Sequence, residues 1–120
     1  MIMTRSNLHI TLSNGEEIIC VADSTSAPEQ GYIVEEILTP LLALSNSKRE
    51  LSLIKKHCTM DERRANASYR YYINLKTKTV NLFEENYNYR TDRFKKGKDL
   101  TERYTSYLET LNNGNHEKGN

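Results

Sequence analysis

An Asn-Gly pair between two runs of alternating apolar and polar residues is the feature that most restricts the fold of this chain. Asn14 and Gly15 both accept the positive φ angles of a type I′ turn, so the sequence predicts a β-hairpin here. Strand pairing across that turn places apolar residues opposite one another on a core face, as the pairs Leu8–Val21 and Ile10–Ile19. The other face then carries His9, Thr11, Ser13, Glu16, Ile18 and Cys20.

A capping-box pattern predicts a helix after the hairpin. Ser26 stands three residues before Glu29, and Pro28 falls in the first turn, where its missing N–H costs nothing. Apolar residues then recur at the spacing of one buried helical face: Ile33, Val34, Ile37, Leu38, Leu41 and Leu42. Pro40 interrupts this pattern because proline removes a backbone hydrogen bond and crowds the preceding turn. We therefore expect a kink, or a restart of the helix capped by Thr39.

Two further helices are predicted by the same kind of signal. Ser47 and Glu50 form a second capping box, and the helix that they open runs as far as Cys58. Asp99 with Glu102 caps a last helix. Its inner stripe consists of Leu100, Tyr104, Leu108 and Leu111.

A second hairpin is predicted in residues 68–85, where β-branched and aromatic residues alternate around a short Lys-Thr-Lys-Thr turn. If Leu75 pairs with Val80, the core side carries Tyr71, Ile73, Leu75, Val80, Leu82 and Glu84. The opposite side then aligns Tyr72 with Phe83 and Asn74 with Asn81, flanked by Arg70 and Lys76. A slip of one residue would exchange the two faces, and a turn without Gly or Asn fixes the register weakly. Residues 86–98 have no clean period and are expected to form a mobile loop or a short edge strand.

These elements together predict a single α+β domain over residues 1–112, followed by a flexible C-terminal tail over residues 113–120. We expect one antiparallel sheet built from the two hairpins, with three helices on one face, in the order β-β-α-α-β-β-α. Leu, Ile, Val and Phe number 26 of 120 residues, about 22%, which is a small supply for a core. Some tyrosines must therefore be buried, or a second copy must supply the missing apolar area in a homo-oligomer.

Basic charge and tyrosine both concentrate in the central third of the chain. Residues 63–98 hold ten lysines and arginines against three acidic residues, a balance of +7, whereas residues 1–62 carry −4 and residues 99–120 carry −2. Five of the eight tyrosines lie in the same central stretch. This composition is typical of proteins in which rings stack on bases and cations meet phosphates.

The second hairpin and the loop after it are therefore the predicted binding site, with single-stranded nucleic acid as the leading partner. The candidate residues are Arg70, Tyr72, Lys76, Lys78, Phe83, Tyr87, Tyr89, Arg90, Arg93, Lys95 and Lys96. The same residue types are enriched in protein interfaces, so an adaptor or inhibitor that binds an acidic protein is the alternative. The asparagine-rich, motif-poor sequence would suit an accessory protein of a phage or mobile element. In a third interpretation, Tyr72 and Phe83 lie under a helix, and the acidic helix 27–45 neutralises the basic strands.

The sequence contains no motif of an enzyme, so we expect a non-catalytic protein without a cofactor. There is no Gly-rich phosphate loop, no GxSxG and no HExxH. His9 and Cys20 are expected to oppose each other across the first hairpin, but they lack an orienting acid and oxyanion donors. We therefore assign no catalytic residue.

A metal site, a disulfide framework and a membrane span are also not indicated. Cys20 and Cys58 stand far apart in the sequence, without a CxxC motif or a histidine pair at ligand spacing. There is no apolar run of about 18 residues, and the first residues lack the apolar centre of a signal peptide. The expected location is the cytoplasm, with no membrane partner.

Overall fold

Six β-strands form the sheet of this protein in the computed structural model, which describes residues 4–118 and, among them, the side chains of residues 4–112. The strands are β1 (Ser6–Thr11), β2 (Glu17–Ala22), β3 (Thr59–Met60), β4 (Tyr69–Asn74), β5 (Thr79–Asn88) and β6 (Arg93–Asp99). Their order across the sheet is β3-β2-β1-β4-β5-β6.

The sheet is mixed, so the prediction of a purely antiparallel sheet is wrong. All neighbouring strands are antiparallel except β1 and β4, which are parallel. The hairpin reverses the chain, so β2 ends beside the start of β1, where Ala22 pairs with Ser6. The connection through the helices and β3 returns the chain to that same edge on the other side of β1, where Tyr69 pairs with Ser6, and β4 must therefore run parallel to β1. The α+β class is confirmed.

Three helices pack against the sheet. The first, α1, begins as a π-helical segment, Ile33–Leu38, and continues as an α-helical turn, Thr39–Leu42. The others are α2 (Ser47–His57) and α3 (Thr101–Lys118), and a short 3₁₀ turn, Pro28–Gln30, precedes α1. None of the helices described within residues 4–118 combines the length and the apolar character needed to cross a membrane.

The core lies between the helices and one face of the sheet. The helices contribute Ile33, Val34, Ile37, Leu38, Leu41, Ile54 and Tyr104. The strands contribute Leu8, Ile10, Cys20, Ala22, Tyr71, Ile73, Val80 and Leu82. Each fully buried Leu or Ile stabilises the fold by about 1.5–3 kcal/mol relative to its exposed state. The predicted inner stripe of the last helix is confirmed in part, since Tyr104 is buried and its three leucines pack at the edge of this core.

The first hairpin has a register one residue away from the predicted one. Leu8 pairs with Cys20, not with Val21, so Cys20 faces the core and Ile19 is turned to the other side of the sheet. The cause is the turn, in which the Leu12 N–H donates to the Glu16 carbonyl and only Gly15 has a positive φ, +91°. Three residues thus form the loop, not the two of a type I′ turn.

The second hairpin is shifted by two residues, and a shift of two preserves both faces. Ile73 pairs with Val80 and Tyr72 with Asn81. The core side is therefore as predicted, and Tyr72 and Phe83 share the opposite side as diagonal neighbours. Residues 86–98 form the end of β5, a turn and the edge strand β6, which confirms the edge-strand alternative.

The helix starts differ from the predicted capping boxes. The α2 helix is capped by Asn46, whose Oδ1 accepts the N–H groups of Lys48 and Arg49. Glu50 is instead fully buried and accepts a hydrogen bond from the Ser13 N–H at 2.9 Å, which joins the first hairpin to α2. Ser26, the predicted cap of the first helix, instead contacts β1. Its hydroxyl accepts a hydrogen bond from the Ser6 hydroxyl at 2.7 Å.

The α1 helix passes through Pro40 without the predicted restart. The Thr39 N–H donates to the Val34 carbonyl, five residues earlier, and Thr39 has helical φ and ψ angles of −62° and −48°. This wider π-helical turn precedes the proline, whose ring would crowd the carbonyl four residues earlier in a regular α-helix.

Candidate nucleic-acid interface

The face of the sheet opposite the core, here called the open face, carries a row of rings across three neighbouring strands. The ring centroids of His9 in β1 and Tyr72 in β4 are 5.0 Å apart, and those of Tyr72 and Phe83 in β5 are 5.6 Å apart. All three side chains are only partly buried. These residues, named the ring row, are brought together by strand alternation and by the pairing of β4 with both neighbours.

A second group of rings lies nearer the tip of the β5–β6 hairpin. The Tyr87 centroid is 4.7 Å from that of Phe94 and 4.8 Å from that of Tyr89. Tyr87 follows Phe83 by four residues on the same face of β5, a separation of about 13 Å along a strand. This hairpin-tip cluster therefore extends the aromatic surface beyond the ring row.

Two exposed cations lie over these rings. Lys96 Nζ is 4.5 Å from the Phe83 centroid and 5.8 Å from that of Tyr72. The guanidinium carbon of Arg63 is 4.2 Å from the Phe94 centroid. Neither cation has a carboxylate partner within salt-bridge distance among the described residues.

Arg70, a predicted phosphate contact, is instead held inside the protein. Its guanidinium is buried against the carboxylate of Glu85, with 2.7 Å between Nη2 and Oε1, and donates to the Tyr72 hydroxyl at 2.9 Å. Burial works against its charged form, but the hydrogen bonds to Glu85 and Tyr72 outweigh it and raise the pKa of Arg70. Asn7 completes the network by donating to Glu85 at 2.9 Å.

His9 lies beside this network, and its surroundings disfavour the protonated ring. Burial and the positive charge of Arg70 lower its pKa, and Glu85 opposes them more weakly. Its Nε2 atom is buried and has no hydrogen-bond partner among the described residues. The sequence pattern placed His9 on the outer face of the first hairpin but indicated no role for it.

The remaining predicted residues divide into two places. Tyr89, Arg90, Arg93 and Lys95 are exposed around the hairpin tip, with Tyr89 76% exposed. Lys76 and Lys78 lie in the β4–β5 turn, away from that tip, and Lys78 Nζ donates to the Leu44 carbonyl. The structure therefore places Arg90 beside Tyr87 and Tyr89. Arg93 and Lys95 alternate with Phe94 and Lys96 along β6, so they face the other side of the sheet from the rings. Lys76 and Lys78 lie at the other end of the sheet.

Arg63 and Phe94 are site residues that sequence reasoning missed. Arg63 lies in the connection 61–68, which is anchored to the sheet by two bonds between Arg64 and Asn7: the Arg64 N–H donates to Oδ1 at 2.7 Å, and Nδ2 donates to the Arg64 carbonyl at 3.2 Å. The sequence held a local signal for the β5–β6 hairpin, because Asn and Asp are typical turn residues and occur here at positions 88 and 92. In the structure, the Asn88 side chain accepts two N–H groups of the turn, and Asp92 has a positive φ.

The histidine and the cysteines do not form a nucleophilic pair. His9 and Cys20 lie on opposite faces of the sheet, because His9 pairs with Ile19. Cys20 and Cys58 are free thiols, and a hydrogen bond with Cys58, together with burial, raises the pKa of Cys20. Within residues 4–118, no three His, Cys, Asp or Glu side chains cluster in a way that would hold a metal ion.

Comparisons of the chain with protein-family models, with curated proteins and with solved structures found no match. The rings of the open face, the two cations over them and the ion pair beside them are therefore the observations from which a function is inferred.

Proposed function

We propose that this protein binds single-stranded nucleic acid along the open face, from the hairpin-tip cluster to the ring row. The observation that carries this proposal is the combination of partly exposed rings on neighbouring strands with two cations, Lys96 and Arg63, that have no carboxylate partner among the described side chains. Sheet-based readers of single strands stack bases on such rings and contact phosphates with the flanking cations.

The energies favour replacing the cations over the rings with bases. A cation over an exposed ring contributes about 0.5–1 kcal/mol, whereas stacking of a base on an aromatic side chain contributes about 1–3 kcal/mol. Lys96 and Arg63 are exposed, so each can leave its ring and meet a phosphate of the strand that stacks there. The exposed Arg90 in the hairpin turn supplies a further phosphate contact. Arg93 and Lys95 face the other side of the edge strand β6 and meet a phosphate only where the nucleic acid passes around that edge.

Arg70 has a structural part in this proposal. Its charge is compensated by Glu85, so it offers little to a phosphate, but its bond to the Tyr72 hydroxyl holds that ring in place. A side chain that is already fixed in the free protein loses less conformational entropy when a base stacks on it, so binding is stronger.

Fluorescence anisotropy with a labelled, unstructured oligonucleotide tests the proposal. The logarithm of the association constant should fall linearly with the logarithm of salt concentration, by about 0.7 for each phosphate neutralised. Phe83→Ala and Tyr72→Ala should each weaken binding by about fivefold to 100-fold. Tyr107→Ala removes a ring from α3, on the core side of the sheet, and should bind like the wild type. Absence of binding at low salt, or an affinity independent of salt, would contradict the proposal.

An acidic protein is the second candidate partner, and the shape of the hairpin tip favours it. Tyr89 is 76% exposed in the turn, and Arg90 and Arg93 of the same hairpin tip are also exposed. Tyr and Arg anchors of this kind dominate the energy of protein interfaces. Binding of such a partner should depend on both arginines and persist in the presence of excess oligonucleotide, whereas competition by the oligonucleotide would favour nucleic acid.

A further inference from the structure

A groove lies on the open face immediately beside the ring row. It has a volume of about 440 Å³ and is lined by residues of β1, β2, β4 and β5, with His9 and Tyr72 shared between the groove and the ring row. Its volume is within the range of about 300–1,000 Å³ that is usual for small-molecule sites. A strand stacked on the rings therefore has room to place its next base in the groove.

The charge of the groove fits a base better than a phosphate. Among the described residues, no lysine or arginine lines the groove, and Glu17 is the one charged residue that does. The Glu17 side chain is exposed at the mouth of the first hairpin, on the same face as His9. A phosphate would be repelled by this carboxylate, whereas a neutral planar ring would not be.

The hydrogen-bonding groups of the groove can distinguish one base from another. A carboxylate such as that of Glu17 only accepts hydrogen bonds, so it pairs with the amino group of a base and not with a carbonyl. The side-chain Oδ1 of Asn74 already accepts the N–H groups of Lys76 and Thr77. The exposed Asn81 amide makes no hydrogen bond within the described part of the chain and can offer both a donor and an acceptor.

We propose that this groove is a nucleobase subsite that selects bases with an exocyclic amino group through Glu17. The inference rests on the proposed function, since it assigns base selectivity to the same face. Cytosine and uracil provide the sharpest comparison, because they have the same size and differ in whether position 4 carries an amino group or a carbonyl.

Binding of oligodeoxycytidine and oligodeoxyuridine of equal length, measured at one salt concentration, tests this subsite. The wild type should prefer the cytidine polymer by about fivefold or more, which is the low end for one well-placed base contact. Glu17→Gln keeps the shape of the side chain but adds an N–H donor, so the preference should fall to less than about twofold. Glu16→Gln is the matched control, because it makes the same charge change on the neighbouring exposed residue outside the groove and should keep the preference.

The outcomes separate this subsite from the proposed function. If both polymers bind equally to the wild type, or if the preference survives in Glu17→Gln, the subsite is wrong and nucleic-acid binding still stands. If neither polymer binds at low salt, the proposed function is wrong and the subsite with it. Circular dichroism of both variants shows whether they are folded, and a loss of the preference in Glu16→Gln as well would assign it to general charge and overturn the subsite.

Discussion

Arg70 and Glu85 form a buried ion pair that joins β4 to β5 on the open face, with 2.7 Å between Nη2 and Oε1. Nε of Arg70 lies 3.1 Å from each carboxylate oxygen, so the two groups meet side by side. Asn7 adds a donor from β1, and the network thereby spans three strands next to the ring row. Each charge compensates the other away from water, which makes the loss of one partner expensive.

Replacing Glu85 with alanine should destabilise the protein by about 3–5 kcal/mol, because it leaves the buried guanidinium without a counter-charge. Urea unfolding followed by circular dichroism measures this loss. Glu84→Ala is the matched control, since that side chain is exposed and its one bond is to a backbone N–H, so it should cost no more than about 1 kcal/mol. Replacing both Arg70 and Glu85 with leucine should cost less than the sum of the two single replacements. Equal losses for Glu85→Ala and Glu84→Ala would show that the pair does not stabilise the fold.

The parts of the fold that depend on local patterns could be predicted from the sequence. The α2 helix and the two faces of the second hairpin follow from residue spacing alone, and a register error of two residues left those faces unchanged. The first hairpin shows the limit, because the choice between a two-residue and a three-residue turn at Asn14-Gly15 decides whether Ile19 or Cys20 faces the core.

The parts that depend on contacts between distant segments could not be predicted. Nothing in the two hairpins specifies that β1 and β4 are parallel neighbours, since that depends on where the connection through the helices returns the chain to the sheet. The Arg70–Glu85 pair requires the correct register of β4 on β5, and Arg63 reaches Phe94 only because its loop folds onto Asn7. The sequence therefore predicted which types of residue the candidate site contains. It did not predict which of them lie together, because that depends on tertiary packing.

The stability of the protein should decrease below about pH 6.5 in a way that depends on His9. Burial and the positive charges of Arg70 and Arg63 lower the pKa of His9, and the negative charge of Glu85 only partly offsets them. The unfolded chain then binds a proton at a higher pH than the folded protein does. The stabilising contribution is complete above the unfolded pKa and is lost as the pH falls through the folded pKa.

Unfolding free energies of the wild type and His9→Gln, measured between about pH 7.5 and pH 5.5, check this sign. The variant should lose less stability over this range than the wild type does, because glutamine does not titrate. An identical slope for His9→Gln and the wild type would mean that this imidazole does not titrate differently on folding.

Lys96→Ala should weaken nucleic-acid binding without affecting the fold. The exposed ammonium group lies over Phe83, and its contribution there to stability is at most about 1 kcal/mol. Loss of one phosphate contact should make the salt dependence of binding shallower by about 0.7. Lys55→Ala removes an exposed lysine from α2, on the core side of the sheet, and should leave the slope unchanged. A wild-type slope for Lys96→Ala would exclude this lysine from the phosphate contacts.

Gly31→Ala should destabilise the protein more than Gly15→Ala does. Both glycines have positive φ angles, +89° and +91°, which an alanine rarely adopts, so either replacement strains the backbone. At Gly15 the added methyl group has space, with its nearest neighbour at 3.8 Å. At Gly31 it would lie 2.7 Å from the carboxylate of Glu35 and 2.9 Å from the hydroxyl of Tyr107, so their mutual hydrogen bond must break or move.

The additional loss at Gly31 should be about 1 kcal/mol, the usual contribution of one hydrogen bond. Urea unfolding of both variants measures the difference. Removing the Tyr107 hydroxyl separates the steric cause from the backbone cause, because Tyr107→Phe takes away one of the two atoms in the way. The Gly31→Ala change should therefore be less destabilising in the Tyr107→Phe background than in the wild type. If its cost is the same in both backgrounds, the loss comes from the backbone conformation at Gly31 alone.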